Sequence, residues 1–138
     1  MTYEKIAKLL MDRKLARLGD SYVNFIFSLA LTRARQEPQG ARVSDQVLAE
    51  AAAKTGLRKL LPRRVKRNDV ANSVESLLVY GWLNGIISLE QSARILEKNI
   101  QTPSDAVANL AEEILCRIEG KANLGVEDSK ERNPHSRS

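Results

Sequence analysis

Apolar residues recur along the chain at intervals of three and four, and no stretch sustains the two-residue alternation of a strand. Ile6, Leu9 and Leu10 mark a short first helix. Val23, Ile26, Phe27, Ala30 and Leu31 fall at i, i+3, i+4, i+7 and i+8, one wide apolar face that predicts a second helix from Asp20 to about Arg35. Pro38 and Gly40 interrupt the pattern in "EPQGAR". Ser44 is placed to cap a helix through "DQVLAEAAAKT", with Gly56 expected to close it. Val70, Val74, Leu77, Leu78 and Gly81 predict a helix over Asn68–Asn84, closed by Gly85. "SLEQ" has the form of a capping box, opening a helix near Ser88 that reaches about Asn99. Thr102, Pro103 and Asp105 suit the start of a last helix whose inner face is Val107, Leu110, Ala111, Ile114, Leu115 and Ile118, with Gly120 as its stop. The expectation is an all-α domain over residues 1–120. Residues 121–138, "KANLGVEDSKERNPHSRS", carry few large apolar side chains and read as a polar, disordered tail.

A chain of 138 residues suits one such domain. Aromatic residues are only 4% of it, so a core must come from Leu, Ile, Val and Ala, the composition of helices packed on helices. The longest apolar run is too short to span a membrane, and charged residues interrupt the amino-terminal segment, which points to a cytoplasmic protein. The single cysteine, Cys116, rules out an internal disulfide or a Cys-rich zinc site and is expected in the core. The only histidine, His135, lies in the tail, so the domain has no histidine for acid–base or metal chemistry.

The net charge of +5 matters less than its distribution. In "RKLLPRRVKR", Arg58, Lys59, Arg63, Arg64, Lys66 and Arg67 are basic and no residue is acidic. A solvated loop accounts for such a run. A polyanion is the favoured account on charge alone, since each neutralised phosphate releases counterions.

The sequence has no glycine-rich phosphate loop, zinc-ligand spacing or Ser–His pairing. What remains is carboxylate chemistry with a hard metal. Two polar spots interrupt apolar helical runs: Asp20 with Asn24 one turn later, and Asn72 with Glu75 at i, i+3. In "LARLGDSYVNF" the Gly19–Asp20 pair is either a helix break with Asp20 as the next N-cap, or a close approach with Asp20 turned inward. If the two helices pack through these faces, Asp20 and Glu75 offer oxygens to one point. Magnesium accepts one or two carboxylates and keeps several waters.

"LGDSYVNF" resembles the signature helix of the ribonuclease III family, and "NDVANSVESLLVYGWL" resembles that family's second acidic motif. The two occur in the family's order and tie together about Met11 to Leu83. The resemblance implies an all-helical endonuclease domain that cuts double-stranded or structured RNA with Mg²⁺ or Mn²⁺. Asp20 and Glu75 would be catalytic and metal-binding, with Asn72 as an auxiliary metal ligand. Arg58, Lys59, Arg63, Arg64, Lys66 and Arg67 would hold the RNA backbone. It further implies a homodimer formed through the signature helix, to which Tyr22, Phe25, Ile26 and Leu29 could contribute. Two positions depart from the pattern: Ala16 stands where most members carry a glutamate, and Asn72 where the second motif has its first acid. The short Mini-III ribonucleases also lack the upstream glutamate, whereas some relatives have lost catalysis. A catalytically silent RNA-binding protein is therefore the alternative, and a helical interaction module without RNA is a third.

Overall fold

The computed structural model describes residues 2–127, with side chains through 120. Its elements are α1 (Tyr3–Leu10), α2 (Arg13–Arg35), α3 (Asp45–Ala53), a 3-10 turn (Gly56–Leu60), α4 (Arg67–Leu83), α5 (Leu89–Lys98) and α6 (Pro103–Glu127). No strand occurs among the described residues. None of the helices is long and apolar enough to cross a membrane.

Side-chain caps set most of the starts. Ser44 Oγ accepts the Val47 N–H, and Ser88 and Gln91 exchange the two bonds of a capping box, as expected. The second helix starts earlier than its apolar pattern suggests. Asp12, not Asp20, is its N-cap, accepting the N–H groups of Lys14 and Leu15 at 3.0 Å. The helix therefore runs through Gly19 and Asp20, which removes the capping role for Asp20. A mid-helix glycine costs about 1 kcal/mol against alanine, a penalty that packing at Gly19 offsets.

Two further boundaries shift. The third helix ends at Ala53, and Gly56 opens the 3-10 turn behind the Thr55 cap. The last helix does not stop at Gly120 but continues to Glu127. A glycine stop needs a left-handed backbone, and among the described glycines only Gly85, at φ +68°, has one. The part of the expected tail over 128–138, with His135, lies outside the described residues.

α4 is the central helix. Ten of its residues are buried on all sides, from Val70 through Gly81, because α1, α2, α3 and α6 surround it. α5 closes the far side against α2 and α6. Leu, Ile, Val and Ala make up nearly all of the core. Cys116 is exposed, contrary to the core position expected of it. It lies two residues from the buried Ile114 and Ile118, on the opposite side of α6 from the stripe that faces the core.

Candidate functional site

The site begins where α2 crosses α4. A Cβ at Gly19 would overlap the carbonyl oxygen of Glu75 and lie 2.6 Å from its carbonyl carbon. Gly19 thus lets the two backbones touch, and the neighbouring residue Asp20 is carried to the same level as Glu75.

Glu75 is only 4% exposed. Among the described residues no protein donor bonds its carboxylate; the group within hydrogen-bonding reach is the Asp20 carboxyl. Burial, then the bond and charge of Asp20, push the Glu75 carboxyl up to about 8, with Asp45 adding to the rise and Arg42 opposing it. Asp20 is half-buried. Its Oδ1 lies 3.4 Å from Asn24 Nδ2 and 3.7 Å from a guanidinium nitrogen of Arg42. Asn24 also binds the connection between α2 and α3, its Oδ1 accepting the Val43 N–H at 2.7 Å. Ser28 fastens the same strap at Ala41, accepting the N–H at 2.9 Å and donating to the carbonyl at 3.1 Å. Arg42 comes from this strap, and Asp45 begins α3 just after it. Sequence reasoning passed over both, because no periodicity says which helix face a connecting strap will meet; only the Ser44 cap, which starts a helix at Asp45, hinted at the position.

One turn toward the helix starts, the same crossing is neutral. Ala16 is buried and Asn72 half-buried. Both line a cavity of about 20 Å³ with Leu10, Met11, Asp12, Arg13 and Asp69, room for roughly one water. Asp20 and Glu75 are not part of its wall, and no hydrogen bond joins the Asn72 side chain to either carboxylate. The structure brings Asp20 and Glu75 together and turns Asn72 toward the adjoining cavity.

The basic residues are all exposed. The guanidinium of Arg58 donates to the carbonyls of Pro62 and Arg63 at 3.3 and 3.5 Å, folding the segment on itself. The other five make no ion pair among the described residues. The segment is pinned to α1 by the Tyr3 hydroxyl, which donates to the Lys59 carbonyl at 3.3 Å. Arg67 begins α4 eight residues before Glu75, about 12 Å along the axis. On α2, Tyr22 and Ile26 are core residues rather than surface. Phe25 is exposed and Leu29 half-buried. Leu18, seven residues before Phe25, is exposed as well, and Trp82 stacks on Tyr22 between them at a centroid distance of 5.3 Å.

Comparison with known protein families matches residues 13–120 to the one described as Ribonuclease III. No curated protein matches the chain. The matched span holds both crossing helices, the carboxylate pair and the basic segment, and the chain belongs to the ribonuclease III family.

Proposed function

We propose that the protein is a divalent-metal-dependent endoribonuclease acting on double-stranded or structured RNA. The observation that carries this reading is Glu75: a carboxylate buried in the core's central helix, with no protein donor, facing a second carboxylate. An ionised group so placed is costly unless a cation meets it. The positive charge that opposes this is Arg42, on a side chain that is 77% exposed and lies 3.7 Å from Asp20. The donor set is all oxygen, which suits Mg²⁺ or Mn²⁺ and not a soft metal. Asp20 and Glu75 would hold the ion, with Asn72 an auxiliary ligand across the adjoining turn. When bound, the ion supplies an activated water and offsets the negative charge that grows during phosphodiester hydrolysis.

The chain's own residues do the rest. Lys59, Arg63, Arg64, Lys66 and Arg67 bind the RNA backbone by charge, while Arg58 shapes their loop. Duplex RNA is recognised mainly by shape and by phosphate and 2′-hydroxyl contacts, which calls for cations rather than stacking platforms. Arg42, at the mouth of the carboxylate pair, is positioned to meet a phosphate entering the site. Leu18, Phe25, Leu29 and the Trp82 ring form an apolar surface suited to a second copy, so the active form is a homodimer, working in the cytoplasm.

The test is incubation of the protein with duplex RNA, with and without Mg²⁺ or Mn²⁺. Metal-dependent cutting that disappears in Asp20→Asn and Glu75→Gln supports the proposal; cutting that survives both changes overturns this site. The neutral Ala16 and Asn72 favour a second reading, a catalytically silent RNA-binding relative. Salt-sensitive RNA retention without cutting is its signature. No retention at low salt would leave a helical interaction module.

A further inference from the structure

The start of α2 carries cations that the helix itself does not call for. In "RKLAR", directly after the Asp12 cap, Arg13, Lys14 and Arg17 are all exposed, and the first turn holds no acid. Cations placed there oppose the positive end of the helix dipole. Arg13 and Arg17 also stand at i, i+4, where like charges repel. Among the described residues neither guanidinium enters an ion pair. Asp12, the acid beside them, is occupied by the N–H groups of Lys14 and Leu15. Helix stability therefore gives no account of this pair of arginines.

Their position does. Steps of four, three and four residues put Arg13, Arg17, Asp20 and Asn24 in one row along α2, with Lys14 off it. Arg17 precedes Asp20 by about 4.5 Å along the axis, and Arg13 precedes it by about 10 Å. At the far end of the row Arg13 lines the small cavity with Asn72 and Asp69 of α4. Asp69 closely follows Lys66 and Arg67, the last cations of the basic segment. Arg13 thus stands beside the end of that segment, although the two are far apart in the chain. At the near end Arg42 reaches Asp20. We propose that Arg13 and Arg17 are phosphate-binding residues that carry an RNA strand from the basic segment, across the start of α2, to the Asp20–Glu75 pair; this rests on the RNA-binding reading above. The planar guanidinium fork suits phosphate oxygens. A bound backbone also neutralises the repulsion between the two arginines, which the free protein leaves unrelieved.

The test is binding of the full chain to a short fluorescent RNA duplex, read by anisotropy without divalent metal over a series of potassium chloride concentrations. Arg13→Gln and Arg17→Gln should each weaken binding about three- to tenfold at low salt and flatten the slope of log affinity against log salt by roughly one. The two changes together should flatten it by about two. Arg13→Lys and Arg17→Lys, which keep the charge, should keep the slope. Arg94→Gln makes the same change at an exposed, unpaired position on α5 and should leave the slope as in wild type. Arg13→Ala and Arg17→Ala, with alanine's stronger helix propensity, serve where a glutamine variant loses helical circular dichroism. An equal loss of slope in Arg94→Gln would reduce the effect to net charge and overturn the proposal. An unchanged slope in the α2 variants, with a slope lowered in Arg63→Gln, would overturn the role of Arg13 and Arg17 and leave RNA binding by the basic segment intact. Absence of salt-sensitive binding in wild type would overturn both.

Discussion

Two layers of the α2–α4 crossing, one helical turn apart, were built differently. In the Asp20–Glu75 layer the backbones touch through Gly19 and two carboxylates are pressed together, one of them without a donor. In the Ala16–Asn72 layer the side chains are neutral and leave a cavity the size of a water. The helices and their crossing are common to both layers, and what sets the first apart is charge placed against burial. The first layer is held at an energetic cost that a cation would relieve, and the second has no such demand.

The largest expected effect falls on chemistry in the first layer. Asp20→Asn or Glu75→Gln should lower metal-dependent RNA cleavage by about 100-fold or more, read from single-turnover rates on a duplex substrate. Next comes the crossing itself. Gly19→Ala forces the backbones apart and should destabilise the protein by about 3 kcal/mol, lowering the melting temperature by roughly 10 °C. Ala16→Gly in the neutral layer should cost only about 1 kcal/mol. Equal losses at the two positions would erase the contrast.

The third effect concerns pH. In the unfolded chain Glu75 titrates near 4.5, and in the folded, metal-free protein near 8. Between these values the folded state binds the extra proton, so stability must fall as pH rises through that window. Denaturant melts from pH 5 to 8 should show Glu75 lowering stability by at least about 1 kcal/mol, a slope that Glu75→Gln removes. The smallest effect is a gain: Asn72→Asp adds an acid beside the first layer and should tighten Mn²⁺ binding by about two- to fivefold. A change of no more than measurement error would mean that the second layer is separate from the ion.

Much of this was legible in the chain. The caps at Ser44 and Ser88, the break at Pro38–Gly40 and the left-handed Gly85 follow from local chemistry, which the folded protein retains. Asp20 and Glu75 stood out as acids inside apolar runs, and that is where they meet. The early start of α2 was hidden because the low helix propensities of Gly19 and Asp20 suggested a break; contact with α4 overrides propensity there. Gly120 misled for the opposite reason, since a glycine with an ordinary backbone does not end a helix. Tyr22 and Ile26 share the signature helix with Phe25, but only the packing of α5 and Trp82 decides which of them reach the surface. Arg42 and Asp45 depend on where a connecting strap lands, which is a property of the whole fold.

The most direct measurement is anomalous scattering from crystals of the protein soaked in Mn²⁺. The account predicts a peak between the carboxylates of Asp20 and Glu75, lost in Glu75→Gln. A well-ordered Mn²⁺ held elsewhere, with these two side chains still bonded only to each other, would contradict it.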